Sequence, residues 1–154
     1  MGNAAKAREC LLAASRIVAE VDTVRRSELY ERQHDLGRCD LVEDKPNEAE
    51  QCFKECINWA KISGYRILLV PCMRGLAAAA LKCEQLERSA SLYGAADLLS
   101  ILQGYTTLEP WWEVMHQRYF ASLGEQIDPQ AFERAWQEGR NMSLEEALAY
   151  ALET

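Results

Sequence analysis

The sequence predicts an all-α fold, an array of about eight helices paired antiparallel. Three observations predict it. Apolar residues recur three and four apart through nearly all of the 154 residues, and no alternating run bounded by turn residues marks a strand. Glycine and proline fall where helices of that period must stop and start. The whole pattern also returns on itself at an interval near 41 residues, the mark of a helical repeat.

The first helix, about 4–25, places Leu11, Ala14, Val18 and Val21 on one face. The second, 27–43, sets Leu29 and Leu36 roughly opposite a stripe of Glu31, His34, Arg38 and Leu41. Pro46 suits the first turn of the third, 46–63, whose stripe is Ala49, Cys52, Phe53, Cys56, Ile57 and Ala60, and Gly64 ends it. The fourth, 65–83, contains Pro71, which removes a backbone donor and crowds the carbonyl four residues back, so this helix either kinks there or starts later. The fifth, 87–103, stops at Gly104, and the sixth, 109–123, opens near Pro110 and stops at Gly124. Asp128-Pro129 caps the seventh, 129–139, and Ser143 with Glu146 forms a capping box for the eighth, 144–152. Short connections between these helices favour antiparallel neighbours within one domain spanning 1–154.

Ala7, Ala49, Ala90 and Ala131 recur at intervals of 42, 41 and 41. Around the second of them, Leu36-Gly37 precedes Ala49-x3-Phe53-x2-Cys56, which resembles the core of a tetratricopeptide repeat. The small residues let two helices approach closely while the phenylalanine fills the gap between neighbouring pairs. The other copies are looser: Ala7-x3-Leu11-x2-Ala14, Ala90-x3-Gly94 and Ala131-x3-Ala135. The first helix carries the second-helix pattern with no partner before it, as expected of a piece of a longer multidomain protein.

Two further segments carry a resemblance to a known family. They are Ala90-Ser91-Leu92-Tyr93-Gly94-Ala95-Ala96-Asp97-Leu98-Leu99, and Phe132 through Arg140 followed by Ser143-Leu144-Glu145-Glu146-Ala147-Leu148. Over roughly 30–152 the chain resembles the C-terminal tetratricopeptide-like region of bacterial LuxR-type and antibiotic-regulator-type signal-transduction ATPases. The resemblance implies a sensor or interaction arm of a transcriptional regulator, one that binds a protein or a small effector and catalyses nothing itself. Neither a phosphate-binding Gly-x-x-x-x-Gly-Lys-Ser/Thr loop nor a basic helix-turn-helix occurs in these residues.

Composition agrees with a folded binding module. The chain is 49% hydrophobic and 27% charged, as in ordinary globular domains. A net charge of −7 repels phosphate backbones and anionic lipid, which argues against nucleic acid and membrane surface as partners. The longest apolar stretches, Ile67–Val70 and Leu76–Leu81, fall short of the ~20 residues a bilayer requires. The N-terminus lacks a basic-then-apolar profile and has Lys6 where a myristoylation motif needs Ser or Thr, so a cytoplasmic location is expected. There Cys10, Cys39, Cys52, Cys56, Cys72 and Cys83 are expected as reduced, buried thiols.

No catalytic constellation emerges. Cys52 and Cys56 lie four apart on one helix, but a zinc site needs about four ligands and both sit on the apolar stripe with Phe53 and Ile57. His34 and His116 are far apart, with no nucleophile motif near either. Glu43-Asp44, Glu84 with Glu87, and Glu145-Glu146 fall at helix ends or on polar faces, where solvation and the helix dipole account for them. No cofactor, metal or enzymatic activity is expected, and a small all-α metal-dependent enzyme is the alternative of a different class. Trp59, Trp111, Trp112 and Trp136 are large enough to anchor an interface. Adjacent residues point ~100° apart, which makes one of Trp111 and Trp112 the candidate exposed aromatic.

In an array of helix pairs the first helix of each lines the concave surface. Its candidate stripe in one pair is Glu31, His34 and Arg38 with Leu41, and in the next Cys72, Gly75, Ala79 and Lys82. The expected groove is polar at one end and smooth at the other, suited to a peptide, a partner helix or a small effector. Glu31, His34, Arg38 and Lys82 are the candidate partner-binding residues. A free-standing adaptor would use the same groove, and the unpaired first helix leaves an end surface suited to a homodimer.

Overall fold

A computed structural model of the chain describes residues 2–19, 26–104 and 110–153, and side chains over 4–14, 30–104 and 113–153. Val18, Val21, Leu29, Trp111 and Trp112 lie outside the described side chains. The described residues are helical and contain no strand. In chain order the helices are α1 (Gly2–Ala19), α2 (Arg26–Val42), α3 (Pro46–Ser63), α4 (Leu69–Lys82), α5 (Leu86–Gln103), α6 (Pro110–Gln126), α7 (Pro129–Arg140) and α8 (Leu144–Leu152).

Two hairpins, α2/α3 and α4/α5, are closed by the same turn. In the first, Asp44 takes a left-handed conformation at φ 62°, its N–H donates to the Leu41 carbonyl and the Lys45 N–H donates to that of Asp40. In the second, Glu84 at φ 61° repeats this with Leu81, and Gln85 with Ala80. This is the Schellman closure, here built on residues with a side chain where glycine is usual. The turns stand 40 residues apart, which corrects the interval near 41 inferred from alanines. In the observed register Leu36 matches Leu76, Gly37 matches Ala77, Ala49 matches Ser89 and Phe53 matches Tyr93. Ser89 fills the small-residue slot by donating its hydroxyl to the Ala77 carbonyl at 2.8 Å, so the slot reads size and not alanine itself.

Phe53 lies wholly buried between α2 and α4. Gly37 and Gly75 make room for its ring, since a β-carbon on either would strike it. Helix α4 is the centre of the molecule: every residue from Leu69 to Leu81 is buried except Arg74. Pro71 is accommodated because a short 3₁₀ turn, Arg66–Leu68, precedes the helix and leaves the proline in its first turn, where the missing N–H has no helical acceptor. The later of the two starts is therefore the observed one.

Gly64 and Gly104 end α3 and α5 in left-handed conformations. Gly124 does not end α6, which continues through Gln126 until Ile127 turns into the core and Asp128 caps α7 with both oxygen-accepted bonds at 3.0 Å. The capping box at Ser143 and Glu146 is formed. Helices α5 and α7 cross with their backbones in close approach. A β-carbon on Gly94 would land on the Trp136 carbonyl, and one on Gly139 on the Ser91 carbonyl. The Tyr93-Gly94 and Trp136–Arg140 segments are thus two halves of a single contact.

Successive helices from α1 to α5 pack on one another, α7 packs on α5, and α4 also touches α2 and α6. Helix α8 packs against both α3 and α5. Its end is held there by Lys54 and Arg88, which donate to the Glu153 carbonyl at 2.7 and 2.9 Å. Helix α1 packs on α2, where Arg8 pairs with Asp40 and, at 3.0 Å, with Glu43. All six cysteines are free. Only Cys56 and Cys72 are buried, while Cys39, Cys52 and Cys83 are half-buried and Cys10 is exposed, which corrects the expectation of uniform burial. Among the described residues no helix is long and apolar enough to cross a membrane.

Candidate functional site

The site follows from how α6 is placed. The Gly94 and Gly139 crossing draws α7 onto α5, whereas α6 makes limited contact with α4 and α5. The space between them is a cleft of about 210 Å³. Arg74 of α4 enters it from one side, Glu113, His116, Gln117 and Phe120 of α6 from another, and Tyr93, Asp97 and Trp136 come from α5 and α7.

Arg74 pairs with Glu113 at 2.9 Å. Asp97 pairs with Arg140 at 3.4 Å, and the Arg140 guanidinium lies 4.8 Å from the centre of the Trp136 ring. Tyr93 meets Phe120 edge to face at 5.2 Å and His116 at 6.4 Å. Phe120 in turn meets Phe132 at 5.6 Å, which ties the aromatic wall back to α7. Burial, reinforced by the charge of Arg74 and of the His34 and Arg38 side chains, lowers the His116 pKa to about 3, so the imidazole is neutral at physiological pH. Burial also pushes the Tyr93 phenol well above its usual range, leaving a neutral hydroxyl donor.

The four residues expected to bind a partner do not form one site. His34 and Arg38 lie on the cleft side, within electrostatic reach of His116. His34 is buried with its ring 5.7 Å from that of Phe53, and its Nδ1 is 3.5 Å from the Asp35 carboxylate, which Arg38 also binds at 3.0 Å. Burial alone would raise the Asp35 pKa, but hydrogen bonds and charge from His34 and Arg38 hold it below the ordinary value. Glu31 stands at one end of the hairpins, exposed and accepting from the Tyr65 hydroxyl at 3.0 Å. Lys82 stands at the other end, 2.6 Å from Asp44 of the first turn.

The smooth part of the expected groove is absent. Cys72, Gly75 and Ala79 are buried, because a helix apolar nearly all round has no face left for solvent. Arg74 breaks that run and was the visible signal: a lone cation amid a continuous apolar helix needs a polar destination. Tyr93, Asp97 and Glu113 were missed as well. Aligning the repeats on alanine put Gly94 in the slot that Tyr93 occupies.

Trp136 is half-buried in the cleft wall, and Trp59 is half-buried, stacked 4.5 Å from Tyr30. Cys56 donates to the Tyr30 carbonyl at 3.2 Å, and burial raises Cys52 to about 11. Among the described residues no three His, Cys, Asp or Glu side chains gather as a metal site. Comparison with family models, with curated proteins and with solved structures finds no match to this chain.

Proposed function

We propose that the chain is a non-catalytic regulatory module that binds a protein or small effector, the sensing arm of a bacterial transcriptional regulator of the signal-transduction ATPase type. One observation carries the binding part of this reading. The cleft gathers convergent polar groups, Arg74, Glu113 and Tyr93, against aromatic walls, Phe120 and Trp136, at a place where α6 leaves the packing incomplete. The regulatory part rests on the resemblance of Tyr93-Gly94-Ala95-Ala96 and Ala135-Trp136 through Leu148 to the closing segment of that family. Support for the pairing of those segments comes from their contact across α5 and α7.

The test combines affinity capture from lysate with a thermal-shift screen of small molecules, each run on the wild-type chain and on Arg74→Ala. A true ligand of the cleft binds the variant at least about tenfold more weakly, as expected when a charge-assisted bond is lost. The variant itself should melt within a few degrees of wild type, since Arg74 is a partly exposed residue paired with Glu113 at the cleft edge. Equal binding by both chains would remove the cleft from consideration.

A further inference from the structure

Tyr93 holds on α5 the slot that Phe53 holds on α3, forty residues earlier. Phe53 meets the demands of that slot with a bare ring, fully buried. Tyr93 packs as tightly, at 6% exposure, but its ring ends in a hydroxyl that is shut off from solvent and has no hydrogen-bond partner among the described residues. A buried hydroxyl left unpaired costs stability that phenylalanine would not, so packing gives no reason for the oxygen. Tyr93 lines the cleft, and its hydroxyl lies within electrostatic reach of Tyr119, Arg74 and Glu113.

The other groups of the cleft restrict what can satisfy it. Arg74 is matched by Glu113 and Asp97 by Arg140, and His116 carries no charge. A ligand with net charge would be desolvated there without a free counter-charge. The missing element is a hydrogen-bond acceptor. Guanidinium N–H groups of Arg74 beyond the one used by Glu113 can serve the second lone pair of the same oxygen. Phe120 and Trp136 add flat apolar surface, and a volume of about 210 Å³ suits a molecule of one ring.

Resting on the cleft as the binding site, we propose that it takes a small neutral molecule with a carbonyl oxygen on a flat apolar body. The oxygen accepts from the Tyr93 hydroxyl while the body lies against Phe120 and Trp136. Benzamide is a suitable probe, with toluene lacking the carbonyl and benzoate and benzamidine carrying opposite charges. Each is titrated into the full chain, wild type and Tyr93→Phe, by NMR at the Trp136 indole, and both chains are melted without ligand.

Benzamide should give a saturable shift at Trp136 and bind wild type several-fold more tightly than any of the other three. Tyr93→Phe should weaken benzamide by roughly fivefold, the loss of one neutral hydrogen bond, and leave toluene unchanged. The same variant should raise Tm by about 2–4 °C, because the unpaired oxygen is gone. Benzamide binding no better than toluene, or equally to both chains, would overturn the proposal. A lowered Tm for Tyr93→Phe would do so too, since it would assign the hydroxyl to a stabilising internal bond. If benzamide fails while a ligand sensitive to Arg74→Ala is still found, the carbonyl chemistry falls and the cleft stands; if neither binds, both fall.

Discussion

At Glu84 the backbone holds a side-chain-bearing residue at φ 61°, where the β-carbon crowds the following carbonyl at a cost of about 1–2 kcal/mol. The position is exposed, and among the described residues no hydrogen bond or ion pair of the side chain repays the strain. Glu84→Gly should therefore raise stability by about 0.5–1 kcal/mol in urea unfolding, the relief of strain less the extra freedom glycine brings to the unfolded chain. Asp44 has the same conformation but binds Lys82, so Asp44→Gly should gain less. His116 offers a test of sign. Its folded pKa, about 3, lies below the 6.5 of an ordinary histidine, so on acidification the unfolded chain takes up the proton first. The associated stability is present above pH 6.5 and lost as the pH falls toward 3. By about pH 4.5 the loss should be on the order of 2 kcal/mol, before the depressed carboxylates Asp35 and Glu146 begin to contribute. His116→Gln should flatten the dependence of urea-unfolding stability on pH across that window. An unchanged slope would mean that Arg74, Arg38 and the burial around the ring do not hold it neutral.

Helices α5 and α7 touch through backbone, and the consequence is confined to two glycines. Gly94→Ala places a methyl on the Trp136 carbonyl, which can move only if α7 moves, and should cost about 3 kcal/mol by chemical denaturation. Gly124→Ala is the contrasting variant. Among the described residues nothing stands within 4 Å of its β-carbon and α6 runs straight through it, so the same substitution should stabilise by about 0.5–1 kcal/mol. That contrast also shows where sequence reasoning stopped. Helix existence and most boundaries were legible, because amphipathic period, proline and capping residues are local signals. Gly124 was not, since its role as punctuation was refuted by Ile127, whose burial is a tertiary fact. The groove stripe on α4 failed for a related reason: periodicity locates a polar face only when a helix has one, and α4 has little besides Arg74 and Lys82. On α2 the stripe failed in the same way: His34 and Leu41 are buried, so the face read as groove is largely turned to the core, and of the cleft lining only His116 and Trp136 stood out in advance, by residue type and not as a binding site.

Across the whole molecule, the buried residues form one continuous core that centres on α4 and extends through α3 and α5 to α7 and α8. Helix α6 shares less of it among the described residues, burying Leu123 and, just beyond its end, Ile127, with Met115 and Tyr119 partly buried against the core. Stability is therefore unevenly distributed along the chain. Backbone amides of α4 and α5 should exchange with deuterium only when the entire domain unfolds, whereas those in the first turns of α6 should exchange through a smaller, local opening at lower free energy. Native-state exchange read by mass spectrometry resolves the two classes. It also turns the shallow seating of α6 into a reporter. A molecule held between α6 and the α5/α7 crossing must close that local opening, so occupancy should slow exchange in the segment around Glu113 and His116 while the amides of α4 and α5, already limited by global unfolding, slow only with the domain as a whole.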